Sequence, residues 1–182
     1  MDAQKPELPP VRRAPCRSYK CSQSKYDVPK LSNRLLLSGY SGSGRSSLAQ
    51  YLVLTAYKGC FARIYLLSST AFSNVSTWGP VRRYIYKPCS DGGMGTPKEE
   101  ECFFDSWDSK KVQEIVATAF AITKYHKDNG HKKGHAILII VDDFADRPDI
   151  LHAAGGSILN SLAIRGRHAN ISFWVASQRP TL

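Results

Sequence analysis

The sequence predicts an α/β domain whose mostly parallel sheet is covered by helices. Three observations carry this. Apolar runs of five to seven residues alternate with amphipathic helical stretches, the arrangement that builds parallel sheets. The first run ends in a glycine-rich loop, GYSGSGRS, at Gly39–Ser46. The run Ala136–Val141 closes on two aspartates.

The elements follow in order. Residues 1–30 read as a tail, with five prolines, seven Lys or Arg and three Asp or Glu. Pro6, Pro9, Pro10 and Pro15 forbid regular helix there. A nucleic-acid-binding or targeting arm and a solvated leader both fit that composition. The folded part is placed at 31–182. Arg34–Ser38 (RLLLS) suits a buried parallel strand. Ser46–Tyr57 reads as a helix with Leu48, Tyr51, Leu52 and Thr55 on its apolar stripe, ended by Gly59. Ala62–Ser68 is the next strand. Thr70–Glu101 lacks periodicity and is expected to be loop, with one short strand at Arg83–Tyr86. Ser109–His126 is the clearest helix, with Val112, Ile115, Val116, Ala119, Phe120 and Thr123 on one face. Asn129-Gly130 breaks the chain. Ala136–Val141 is a fully buried strand, Ser157–Arg165 a helix, and Ile171–Ala176 the last strand.

Composition narrows the class. The chain has 182 residues and a formal charge of +10. That charge favours a polyanionic partner through phosphate contacts, or serves solubility plus a basic tail. No apolar run approaches the roughly 18 residues of a membrane span. The N-terminus has no apolar core, so no secretory leader is expected and a soluble, intracellular chain is. Cys16, Cys21, Cys60, Cys89 and Cys102 lack metal-finger spacing and read as reduced thiols.

Gly39–Ser46 follows a strand and precedes a helix, as a P-loop for ATP or GTP requires. Glycines let the backbone turn several N–H groups toward one phosphate, and the helix adds its positive end. Ser46 is placed to offer its hydroxyl to Mg²⁺. Arg45 stands where the pattern has lysine. A planar fork does not replace a compact ammonium conservatively, although it still attracts phosphate. Asp142, after a buried strand, is placed to hold Mg²⁺, and Asp143 to orient or deprotonate water. Gln178, after the last strand, is placed to sense the outer phosphate. Arg165, Arg167 and His168 form either an arginine finger acting on a neighbouring subunit or a basic turn facing solvent or nucleic acid. His126, His131 and His135 sit among lysines without zinc spacing and read as a basic loop that could touch phosphate backbone.

Together the P-loop, IYLLSST at Ile64–Thr70 with Trp78 downstream, the long helix, IIVDDFAD at Ile139–Asp146 and GRHANISFWVASQ at Gly166–Gln178 resemble the poxvirus-type DNA-packaging ATPases of large DNA viruses and related mobile elements. These belong to the FtsK–HerA superfamily of ring-forming DNA translocases. The likeness covers residues 33–180, and its most specific piece is GRHANIS with the following SQ. It implies a RecA-like sheet, ATP and Mg²⁺ as cofactors, and a homo-oligomeric ring driving double-stranded DNA into a capsid. Capsid proteins would be partners, and the virion or infected cell the location. Carried over by position, Gly39, Tyr40, Ser41, Gly42, Ser43, Gly44, Arg45, Ser46 and Ser47 would bind the nucleotide. Ser46 and Asp142 would hold Mg²⁺, Asp143 would act on water, Gln178 would be the sensor and Arg167 the finger. The family fold continues with a strand flanking the P-loop strand. A chain ending at Leu182 is expected to lack it, as a fragment or a reduced copy, leaving that edge exposed.

Two functions follow from different classes: an ATP-driven DNA-packaging motor subunit, or a catalytically impaired, nucleotide-dependent DNA-binding or scaffold protein descended from one. A P-loop nucleotide kinase fits less well, because an acidic pair after a buried strand suits water activation and no arginine-rich lid is evident.

Overall fold

A computed structural model describes residues 22–69, 71–72, 75–131, 134–144 and 158–178. Most of the tail and Asp146 of the IIVDDFAD run lie outside these. The elements are β1 (Arg34–Ser38), α1 (Arg45–Leu54), β2 (Arg63–Ser68), α2 (Val75–Tyr86), β3 (Phe103–Phe104), α3 (Ser109–Asp128), β4 (Ile137–Asp142), α4 (Ile158–Arg165) and β5 (Ile171–Ser177). Short 3-10 turns occupy Cys89–Asp91 and Gly166–Ala169.

The five strands form one parallel sheet in the order β1-β5-β4-β2-β3. Every residue of β4 and β5 is buried. Both faces are covered, which is why these strands read as continuous apolar runs rather than alternating ones. Within β4, Leu138 and Ile140 pack with Ala49, Val53, Trp78, Val81 and Ile85 of α1 and α2. Ile137, Ile139 and Val141 point the other way, to Val112, Ala119, Leu159 and Leu162 of α3 and α4. Among the described residues β1 is an edge strand, and Leu36 on it is half-exposed. No helix among them is long and apolar enough to cross a membrane.

Three expectations are corrected. The Arg83–Tyr86 segment is not a strand but the last turn of α2. Gly79-Pro80 disguised that helix, yet Trp78, Val81 and Ile85, at i, i+3 and i+7, all face the core. Of the apolar stripe assigned to α1, Leu52 packs partly buried against the core, but the rest does not. Ala49 and Val53 are buried, whereas Leu48 and Tyr51 are exposed. Thr55 lies just past the helix and turns its hydroxyl back onto the Tyr51 carbonyl. Phe120, placed on the buried face of α3, is also exposed. Val112, Ala119 and Thr123 are buried as the spacing predicts. Asp108 caps α3 by accepting from the Lys110 and Lys111 amides, and Asn129 and Gly130 end it.

Two polar contacts fix the base of the sheet. The Trp174 indole donates to Asn33 Oδ1 at 2.7 Å, and Asn33 Nδ2 donates to the Tyr57 hydroxyl at 3.0 Å. These hold β1, β5 and the segment after α1 in register below the functional end.

Candidate nucleotide-binding site

Parallel α/β sheets place ligands outside the carboxyl ends of their strands. At that end β1 leads from Ser38 into the Gly39–Ser46 loop. Gly42 and Gly44 adopt φ of +77° and +86°, the left-handed region that side chains disfavour. Gly39 keeps the loop close: a Cβ there would meet Ser43 Oγ at 2.6 Å, a contact relieved only by turning that hydroxyl away. Gly44 opens α1 with no side-chain cap on its first turn. The uncapped amides are an anion-binding end. Tyr40, Ser41, Ser43 and Ser47 are exposed around this loop.

The register brings the distant residues together. Ser38 pairs with Ser177, and Asp142 pairs with Ala176. Thus β5 lies between the P-loop strand and the acidic strand. Gln178, exposed, emerges between the loop and the aspartates. The Gly39 amide donates to the Ser177 carbonyl at 3.4 Å.

Asp142 is 1 % exposed. Its Oδ2 accepts from Ser46 Oγ at 2.9 Å and from the Trp78 indole N–H at 3.2 Å. Its Oδ1 is buried without a hydrogen-bond partner. Burial pushes the carboxyl pKa up, and the charge of Asp143 adds to this, against the opposing bonds from Ser46 and Trp78 and the nearby Arg45. A buried oxygen without a donor, next to a serine hydroxyl, fits a hard divalent cation such as Mg²⁺.

Asp143 follows with φ of +59°, and its amide donates to the Ala176 carbonyl. That turn aims its carboxylate back toward the loop, where Oδ1 meets Arg45 Nη2 at 3.5 Å. The Arg45 side chain is only 9 % exposed, and its Nη1 is buried without a partner. One guanidinium nitrogen therefore meets Asp143, and the other has no hydrogen-bond partner.

Arg167 is not brought to this site. It lies exposed in the Gly166–Ala169 turn before β5, at the opposite end of the strand from Gln178. The seven residues of β5 separate them by roughly 20 Å. Trp78 is the residue whose contact was not foreseen. Its signal was a lone tryptophan in a segment mistaken for loop.

Trp78→Phe keeps the ring and removes the N–H bound to Asp142. The Mg²⁺ concentration needed for nucleotide binding is expected to rise roughly tenfold, as when the group orienting a metal ligand is lost. A Mg²⁺ titration at fixed nucleotide reads this, and an unchanged midpoint would show that Trp78 only packs.

No protein-family model matches the sequence, and no curated protein matches it. Solved structures do share the fold. The pCW3 conjugation coupling protein TcpA, in monomer form with ATPγS, superposes with a TM-score of 0.51 at 14 % identity over 92 % of this chain and 50 % of that one. EssC (ATPases 2 and 3) from Geobacillus thermodenitrificans gives 0.51 at 15 % identity, over 97 % of this chain and 37 % of that one. The cytoplasmic domain of EssC gives 0.50 at 14 %, over 91 % and 34 %. The likeness is one of fold. This chain spans half or less of the length of each of those chains.

Proposed function

We propose that this chain is an FtsK–HerA-type ATPase domain that binds ATP with Mg²⁺ and serves as a motor subunit on double-stranded DNA. The observation that carries this is Asp142, buried with one oxygen on the P-loop Ser46 and the other without a partner. The shared fold with a coupling protein bound to ATPγS and with EssC ATPases supports it. The loop amides and Arg45 Nη1 would hold the phosphates, and Ser46 and Asp142 the metal. Mg²⁺ bound there neutralises charge on the transferred phosphoryl oxygens. Asp143 and Gln178 orient water at the open side of the loop. Arg167, far from its own loop, acts on the nucleotide of a neighbouring subunit in a homo-oligomeric ring.

The finer proposal is packaging of viral DNA into capsids, in the virion or infected cell. It rests on the sequence likeness of Gly166–Ser172 and Gln178 to the packaging ATPases. The second function, an impaired ATPase that binds more than it turns over, is favoured by one observation: Arg45 occupies Asp143. ATP turnover with and without duplex DNA tests the motor. DNA-stimulated turnover is expected, and nucleotide binding without any turnover under either condition would leave only the binding protein.

A further inference from the structure

The end of the sheet opposite the nucleotide site is strongly basic. Thr123 Oγ1 donates to the Ala169 carbonyl at 3.1 Å, which fastens the last turns of α3 to the Gly166–Ala169 turn. Lys124 and Lys127 follow Thr123 on α3, Arg165 precedes and His168 lies within the turn that ends at Ala169, and all four are exposed. None of the four is ion-paired within the described residues, whose ion pairs are Arg45–Asp143, Arg63–Glu100 and Lys111–Glu101. Of the acids at this end, Glu100 is engaged by Arg63 and the Tyr65 hydroxyl and Glu101 by Lys111, which leaves Asp27, Glu99 and Asp128. Asp105, Asp108, Asp142 and Asp143 lie at the other end of the sheet.

Two further residues belong to this end of the sheet. Arg34 is committed to the Leu162 and Ala163 carbonyls at the end of α4, and its pKa is lowered by burial and by the charge of Arg167. Tyr125 of α3 is 61 % exposed and stacks on His131 at 6.2 Å, on the side of the helix away from Lys127. Exposed Lys and Arg side chains without ion-pair partners suit the sugar–phosphate backbone of a nucleic acid.

We propose that duplex DNA docks by its phosphate backbone through Lys124, Lys127, Arg165 and His168, at the end of the sheet away from ATP. The inference deepens the motor function by placing its DNA. Binding there requires no nucleotide. Each phosphate neutralised contributes about −0.9 to the slope of log affinity against log salt.

The test is binding of a fluorescent duplex oligonucleotide to the full chain without nucleotide, over a range of salt. Lys124→Glu with Lys127→Glu is expected to weaken binding at least tenfold and to flatten the slope by about two. Lys110→Glu, one such charge reversal at the far end of α3, should have little effect, whereas Lys124→Glu alone should weaken binding. Because acids at a helix C-terminus oppose its dipole, Lys124→Gln with Lys127→Gln provides a milder pair whose binding must also fall. Weakening by Lys110→Glu equal to that by Lys124→Glu, or unchanged binding in both double variants, would overturn the placement. Loss of self-association in the double variants with DNA binding intact would also overturn it, since Lys124 and Lys127 would then serve subunit contact and not DNA. If the unaltered chain does not bind duplex at all, the DNA partner itself fails.

Discussion

Replacing Arg45 with lysine is expected to raise ATP turnover by about tenfold or more, a barrier change of about 1.4 kcal/mol. Arg45 Nη2 lies against Asp143 Oδ1, in a setting where the arginine is nearly buried. An acid placed to act on water is thus partly occupied by the residue meant for phosphate. General-base assistance is worth about 10²- to 10⁴-fold, so releasing even part of it is measurable. Lysine presents one compact ammonium and no fork, so it serves the phosphates without also clasping Asp143. Steady-state turnover of both proteins, with and without duplex DNA, decides this. Equal or lower turnover in Arg45→Lys would show that the arginine is the working residue of this loop. Near-zero turnover in the native chain, rescued by lysine, would sink the working-motor function and leave the impaired one.

Asp142→Asn is expected to weaken Mg²⁺-dependent ATP binding about a hundredfold while leaving the metal-free protein as stable or more stable. The two effects separate because Asp142 is a buried carboxylate whose burial cost the Ser46 and Trp78 bonds and Arg45 offset in part, its Oδ1 having no donor. A hundredfold loss is about 2.7 kcal/mol of binding. Burial raises the Asp142 pKa, so the folded chain holds a proton that the unfolded chain releases. Its contribution to stability is therefore full below the ordinary carboxylate value of about 4. That contribution is lost as pH rises through the raised folded value. Over that window the native metal-free melting midpoint should fall relative to Asp142→Asn, by roughly 2–4 °C for each kcal/mol. Mg²⁺ affinity should rise over the same window, since the metal takes the ionised form. A variant that melts lower at every pH and binds Mg²⁺-ATP normally would assign Asp142 a structural task.

The parts of this site that could be read from sequence are those fixed by local spacing. A strand, Gly39–Ser46 and a helix are contiguous, and Asp142 and Gln178 each end a buried run, so parallel pairing alone brings them to one edge. The Arg45–Asp143 contact could not be read. It depends on the left-handed backbone at Asp143, which no periodicity signals. Trp78 was hidden because Gly79-Pro80 made α2 look like loop, although the i, i+3, i+7 spacing of Trp78, Val81 and Ile85 was present. The buried face of α1 is not marked by its spacing, because apolar residues occur on more than one side of this helix. There the small Ala49 faces the sheet just after the loop, and the bulkier Leu48 and Tyr51 stay outside.

The central claim is that Gly39–Ser46 and Asp142 together form a Mg²⁺-ATP site. Calorimetric titration of ATP into the native chain, with Mg²⁺ and with a chelator, tests it most directly. Saturable binding at one site per chain, at least about tenfold tighter with Mg²⁺, is the predicted result. No binding in Mg²⁺, or the same affinity with the chelator, would contradict it.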